Sequence, residues 1–253
     1  MLFVIGLLAA IALMSLVWLW SVPLRDASLV DRFWGFGFVV VALVWWRLSG
    51  MPGSAWVMLV PVIVWGLRLS AHITWRNWGH GEDARYAAMR EDRSDYAFAV
   101  RSLFTIFWLQ GVLVAVIGLP MLASVQGGSP VWVLVGLGWA VWLFGFLYEA
   151  VADWQLARFK ADPGNRGRVM DRGLWRYSRH PNYFGEIVLW LGYGLIGLAF
   201  GGWWALPSVA LMVFLIIRVS GVHLLDRRMT ETRPGYREYV ARTNALIPGL
   251  PRR

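Results

Sequence analysis

Cysteine is absent from the 253 residues. That one absence excludes disulfide frameworks, thiolate zinc sites, iron–sulfur clusters and cysteine nucleophiles. Charge is scarce as well: 15% of the residues are charged, against about 25% in a soluble domain, which argues against an ordinary soluble globular fold. Lys160 is the single lysine among 24 basic residues. The four histidines, His72, His80, His180 and His223, are too scattered for a histidine-box iron site, and no metal is expected. No Walker loop, nucleophile elbow or H-E-x-x-H motif occurs.

What the chain does have is apolar surface. Hydrophobic residues make up 58% and there are 27 glycines; together they approach roughly two thirds of the chain, against about 45–50% by that count in a soluble protein. The surplus must face lipid. Seven apolar stretches can be traced: Leu2–Trp20, Phe33–Leu48, Ala55–Ser70, Ser102–Leu122, Val131–Ala150, Tyr183–Phe200 and Trp203–Leu225. Each approaches the length of about 20 residues that a spanning helix needs. The fold expected is therefore all-α: a polytopic integral membrane protein with seven transmembrane helices and one membrane domain over residues 1–253. The first stretch lacks a basic leader and is too long for a signal-peptide core, so it reads as a span.

Charge placement sets the orientation. With the N-terminus outside, the loops around Arg25–Arg32, Thr74–Asp95 and Val151–Asn182 and the tail after Leu225 share one side. That side holds 23 of the 24 basic residues, Arg47 being the exception. Such a bias implies an N-out, C-in topology. All 15 acidic residues fall on the same side, which the rule does not require, so the chemistry is expected there. The net charge of +9 then belongs to inner loops and not to nucleic-acid binding. The expected location is a bacterial inner (cytoplasmic) membrane, with the active site facing the cytosol.

Ionisable residues at helix ends mark candidate chemistry, since each costs about 2.5–3.5 kcal/mol at a span's centre. Here they are Arg68, His72, Glu149, Asp153, Glu186, Arg218 and His223. Glu149 and Asp153, four apart, share a helix face and with Glu186 can meet Arg218; the plainer reading is snorkelling or simple pairing. No carboxylate–histidine chain suggests a proton pump. The 18 tryptophans form interfacial belts or wall a cavity for a flat apolar ligand. Gly192-Tyr-Gly-Leu-Ile-Gly197 matches G-x-G-x-x-G but lies inside a helical stretch without a preceding strand, so it reads as helix-packing glycine.

The densest stretch runs from Gly173 to Glu186. Pro181 and Asn182 suit a helix start, where free N–H groups and the helix dipole favour an anion, and Arg166, Arg168, Arg172, Arg176 and Arg179 surround it. A phosphorylated ligand is the natural partner. Contact with anionic headgroups would account for the arginines but not for Tyr177, His180, Asn182 and Glu186, which can hydrogen-bond a sugar or an amide. Trp175 and Tyr177 can stack on a flat ring.

These residues make the sequence recognisable. It resembles the steroid 5α-reductase family, in particular its bacterial membrane-protein branch, through Gly173-Leu-Trp175, Arg179-His-Pro-Asn-Tyr183 and Gly185-Glu186. Further matches are Asp153 with Pro163-Gly164, Leu246-Ile-Pro248, Asp31-Arg-Phe-Trp-Gly35, and Arg68, Arg76-Asn77, Glu82-Asp83 and Arg85-Tyr86. The resemblance implies a seven-helix bundle in which residues 1–125 form the substrate half and residues 126–253 bind NADPH. It places cofactor contacts at Asp153, Lys160, Arg168, Asn182, Glu186, Arg218 and His223, which Arg172, Tyr177, Arg179 and His180 join from the basic stretch. Glu149 stands where steroid members carry Asn. Their Gln-Glu pair and Tyr for the substrate ketone are not found; Asp31 falls near the Glu position, and Trp65 and Gly66 near the Tyr.

The function expected is transfer of hydride from NADPH to a carbon–carbon double bond conjugated to a carbonyl in a lipid-like or steroid-like substrate, an acid near the oxygen stabilising the enolate. Asp31 is the candidate acid if its surroundings keep it protonated; otherwise it caps a helix or pairs with Arg32 or Arg25. A second resemblance, of Arg-His-Pro-x-Tyr and Gly-Glu to the isoprenylcysteine carboxyl methyltransferases, would make the cofactor S-adenosylmethionine, but it concerns mainly the C-terminal helices. A non-catalytic lipid-binding protein is the third reading, and it leaves the Arg/Asn/Glu loop unexplained. Membrane lipid is an expected partner, and no obligatory protein partner is inferred. Topology reporters fused at Gly127 and Arg253 should read outside and inside respectively; the same side for both overturns the seven-span arrangement.

Overall fold

A computed structural model describes residues 1–220 and 222–252, with their side chains except those of Ser220, His223, Leu224, Leu225, Arg227 and Arg228. The side chain of His223, one of the expected cofactor contacts, thus lies outside the described residues. The all-α expectation holds: every described element is helical, and no strand occurs among the described residues. Four segments among them are long and apolar enough to cross a membrane: Leu2–Leu24, Gly53–Arg76, Asp95–Ile117 and Trp132–Ala161. Trp34–Leu48 and Trp203–Val219 are apolar but shorter, and the Tyr183–Phe200 stretch forms a helix over Pro181–Ala199.

The chain divides into two compact units, residues 1–131 with 197–208, and residues 132–196 with 209–253. The first contains α1 (Leu2–Leu24), α2 (Leu29–Arg32), α3 (Trp34–Leu48), α4 (Trp56–Arg76), α5 (Ala84–Arg90), α6 (Asp95–Ser102), α7 (Leu109–Ile117) and α8 (Leu119–Gln126). A π-helical turn, Leu103–Trp108, joins α6 to α7, and Gly118 and Pro120 break α7 from α8. α3 and α4 approach backbone to backbone: a Cβ on Gly35 or on Gly66 would stand 2.5 Å from the other's carbonyl oxygen. The Ser70 hydroxyl accepts the Phe36 N–H at 2.9 Å, satisfying a donor that the start of α3 leaves free. Trp45, fully buried, donates its indole N–H to the Leu2 carbonyl at 2.9 Å and so ties α3 to the start of α1.

The second unit is built on α9 (Trp132–Ala161) and most of α10 (Pro181–Ala199). It also holds the end of α11 (Leu206–Phe214), a π-helical turn over Leu215–Ser220, α12 (Val222–Thr232) and α13 (Tyr236–Arg242). α9 outruns its apolar stretch by three turns, and these carry Asp153 and Lys160 beyond it; Pro163, in a turn capped by Asp162, follows directly. Glycines seven apart on both helices, Gly138 and Gly145 against Gly185 and Gly192, let the backbones touch. A Cβ on Gly145 would meet the Gly185 carbonyl oxygen at 2.6 Å, and one on Gly192 the Trp142 amide nitrogen at 2.6 Å. Packing is thus the role of Gly192 in the G-x-G-x-x-G run. Trp45, Trp65 and Trp190 are buried, whereas Trp75, Trp78, Trp132 and Trp203 are exposed. Gly145→Leu or Gly185→Leu should lower stability by about 1–3 kcal/mol or more through overpacking. Gly136→Leu, where a Cβ meets nothing within 4 Å, should leave the thermal melt of the solubilised protein unchanged.

Candidate functional site

The Gly145–Gly185 contact determines which residues face each other at the polar end of α9. A Cβ on Gly185 would lie 2.5 Å from the Glu149 amide nitrogen, so Glu149 and Asp153, both buried, flank the first turns of α10. Asn182, the second residue of α10, donates from Nδ2 to Asp153 Oδ1 at 3.2 Å. Glu186 follows four residues later, on the same face of α10. Lys160, Arg168, Arg172 and Tyr177 are exposed in the segment leading to this point. Arg218 is exposed on the π-helical turn, a distortion found often at functional sites.

The loop before α10 is fastened on two sides. Toward α9, Gln155 accepts the Leu174 N–H at 2.9 Å and the Trp175 indole donates to the Ala152 carbonyl at 3.0 Å. Gly173 has φ +58°, and a Cβ there would collide with the Gln155 amide, so glycine is required. Toward the tail, the Ser178 hydroxyl donates to the Leu246 carbonyl at 2.7 Å, the Arg179 N–H to the Asn244 carbonyl at 2.9 Å, and the Tyr239 hydroxyl to the carbonyls of Trp175 and Ser178.

Arg179 and His180 turn to a residue that the sequence reading missed. Arg179 donates from Nε and Nη2 to the Asp226 carboxylate, at 2.6 Å for Nη2, and from Nη1 to the Val240 and Thr243 carbonyls. His180 Nε2 lies 3.0 Å from Asp226 Oδ1, and the Tyr236 hydroxyl donates to that oxygen at 2.6 Å. Burial by itself would raise the Asp226 pKa, but the hydrogen bonds from His180, Arg179 and Tyr236 outweigh it and hold the carboxyl well below the ordinary carboxylate range. The signal available in the sequence was a lone acid in the basic Asp226-Arg-Arg228 run; no spacing links it to Arg179.

Asp31 belongs to the first unit. It accepts from the Tyr86 hydroxyl and from Arg85 Nη2, each at 2.8 Å. The pairing with Arg32 or Arg25 weighed as an alternative is corrected: Arg32 bonds Asp26 at 3.2 Å and Arg25 bonds Asp95. Burial lifts the Asp31 pKa above its ordinary value against the pull of Arg85 and Tyr86, and burial together with Asp31 pushes the Tyr86 phenol up as well.

The sequence pattern of a family described as "Protein of unknown function (DUF1295)" matches residues 17–243. The chain belongs to the DUF1295 family. This is the steroid 5α-reductase-like family. The DUF1295 protein is 27% identical to an uncharacterized protein of Schizosaccharomyces pombe, over 98% of this chain and 80% of the yeast protein. It is 33% identical to 3-oxo-5-alpha-steroid 4-dehydrogenase 1 of Bos taurus, over 40% of this chain and 38% of the enzyme. Steroid 5-alpha-reductase DET2 of Solanum lycopersicum is 34% identical over 32% of this chain and 31% of the enzyme. The chain thus matches about a third to two fifths of the length of these two enzymes. No solved structure matches.

The Asp226 cluster makes this DUF1295 protein acid-sensitive. A carboxyl held low in the folded state stabilises it fully above the unfolded value near 3.8, and that contribution is lost as pH falls through the lower folded value. Asp226→Asn should cost about 1.5–3 kcal/mol at pH 7, because half-buried Arg179 loses its charged hydrogen-bond partner. In melts taken from pH 7 downward, the gap between variant and wild type should narrow below pH 4; a constant gap means that Asp226 acts by packing alone.

Proposed function

We propose that this DUF1295 protein is a membrane reductase that moves hydride from NADPH to a carbon–carbon double bond conjugated to a carbonyl in a lipid-like substrate. The observation that carries the reading is Asn182 held by the buried Asp153, in a unit that also exposes Lys160, Arg168 and Arg172 and in a chain related to enzymes named 3-oxo-5-alpha-steroid 4-dehydrogenase and steroid 5-alpha-reductase. The donor set suits the cofactor. Exposed Lys160, Arg168 and Arg172 supply charge-assisted hydrogen bonds for phosphate oxygens, and half-buried Asn182 and Glu186 supply an amide and a carboxylate for the carboxamide or the ribose.

NADPH supplies the hydride. The residues do the rest by holding and orienting. Asp153, by taking one N–H of Asn182, fixes the rotamer of that amide and leaves its carbonyl oxygen as an acceptor for a carboxamide N–H. Arg179 and His180, engaged by Asp226, act as positioning residues for the start of α10 and do not touch the cofactor in this reading. Arg218 adds a further cation for phosphate. In the first unit, Asp31 and Tyr86 form a paired carboxyl and phenol whose raised proton affinity suits a hydrogen-bond donor to the substrate oxygen. Seven spans with the N-terminus outside put Lys160, Arg168, Asn182 and Asp31 on the cytosolic side of the membrane.

Thermal shifts of the detergent-purified protein with NADPH, NADH and S-adenosylmethionine test this reading, since specific binding raises apparent stability. NADPH should give the largest shift. Asn182→Ala and Glu186→Gln should keep near-normal melts without ligand but lose that shift. Arg168→Ala or Lys160→Ala should weaken NADPH by tenfold or more, the scale of a lost charged hydrogen bond of about 1.5–3 kcal/mol, while changing NADH little. A shift with S-adenosylmethionine alone would favour methyl transfer and sink the reductase reading.

A further inference from the structure

Two large apolar side chains near the end of the chain have no place in the packed fold. Ile247 is 70% exposed and Leu250 84%, although both lie beyond the last helix, α13. They do not hang on a loose end. The Arg252 N–H donates to the Arg242 carbonyl at 2.8 Å and closes the segment into a compact surface loop. The inner edge of that loop is bonded to the residues before α10: the Asn244 and Leu246 carbonyls accept from the Arg179 N–H and the Ser178 hydroxyl, and the Gly249 N–H donates to the Tyr177 carbonyl at 3.0 Å. Fastening at Asn244, Leu246 and Gly249 leaves Ile247 and Leu250 on the outer edge.

The height of this loop along α9 follows from its attachments. The apolar stretch of α9 ends at Ala150, and the segment before α10 bonds α9 at Ala152 and Gln155, two to five residues further on. At 1.5 Å per residue that is roughly 3–8 Å past the apolar boundary, a distance comparable to the headgroup layer of about 5–8 Å on each side of a bilayer. The outer edge is also poor in groups that need water. Pro248 and Pro251 have no N–H, and the Gly249 N–H is already taken by Tyr177.

Charge selects the kind of lipid. From Tyr236 to the end, the sequence carries Arg237, Arg242, Arg252 and Arg253 against Glu238 alone. Arg242 is engaged by Asp171, whereas Arg252, exposed beside Leu250, meets only the Asn244 side-chain oxygen at 3.5 Å, too long for a strong hydrogen bond.

We infer that the loop Asn244–Arg252 is a foot on the membrane surface, with Ile247 and Leu250 inserted at the boundary between headgroups and acyl chains and Arg252 paired with the phosphate of an anionic lipid. The contact needs neither NADPH nor turnover, so it stands or falls separately from the reductase reading.

Because the chain has no cysteine, Ile247→Cys and Leu250→Cys each give the full-length protein a single attachment point for a fluorophore. The labelled proteins are placed in nanodiscs of phosphatidylglycerol mixed equally with phosphatidylcholine. Lipids bearing a doxyl group near the headgroup should quench both labels, and iodide in the water should quench them weakly. Replacing phosphatidylglycerol by phosphatidylcholine, or adding Arg252→Gln to Leu250→Cys, should cut the doxyl quenching about twofold or more, with an unchanged melt in detergent. Quenching by iodide but not by doxyl lipid overturns the foot in favour of a solvated loop, and quenching by neither overturns it in favour of a protein cover. Equal doxyl quenching in both lipid mixtures and in the Arg252→Gln variant overturns the pairing with anionic lipid.

Discussion

The second unit depends on a contact in which no side chain takes part. Where Gly145 meets Gly185 the two backbones lie closer than any Cβ would allow, and the Glu149 and Asp153 carboxylates are thereby carried to the foot of α10. A methyl group at either glycine would move the helices apart and take Asp153 away from Asn182. The polar chemistry at one end of the helix pair thus rests on apolar geometry within it. The same device recurs in the first unit, where Gly35 and Gly66 join α3 to α4, so the chain twice uses missing side chains to fix where its polar ends fall.

Arginine does two different jobs near that end. Arg179 is spent on Asp226 and on main-chain carbonyls, and its charge is cancelled where it stands. Lys160, Arg168 and Arg172, by contrast, are exposed. The cations that precede a helix start therefore include both a half-buried fastening and exposed side chains, and geometry, not residue type, tells them apart. The first unit follows the same division: Arg85 and Arg90 are fastenings for Asp31 and Glu82, whereas Arg32 still carries an unused donor.

The helical framework was legible because lipid imposes length and apolarity on every spanning element; α1, α3 and α4 begin within a residue or two of the apolar runs that predicted them. Their ends were less legible. No continuous apolar run marks the last turns of α9, where Asp153, Gln155, Arg158 and Lys160 interrupt Val151, Trp154, Leu156 and Phe159, and the helix stops only before Pro163. The acid pair on α9 could be read from its spacing, because i, i+4 is a local relation. Asp226 and the Tyr86 partnership with Asp31 could not be read that way, since those pairings close over 47 and 55 residues and periodicity carries no information at that range. The partner of Arg179 was hidden for the same reason.

The bonds from the Tyr177–His180 segment to the tail also order events in time. Ser178 bonds a carbonyl 68 residues further along, and at about 5–20 residues per second of synthesis the ribosome needs roughly 3–14 s to supply it. During that interval α9 and α10 can already pack through their glycines, but the loop at the foot of α10 has only its attachment to α9. The newborn chain therefore passes through a stage in which the loop carrying Arg166, Arg168, Arg172, Arg176 and Arg179 has been made while Asp226, 47 residues beyond Arg179, has not.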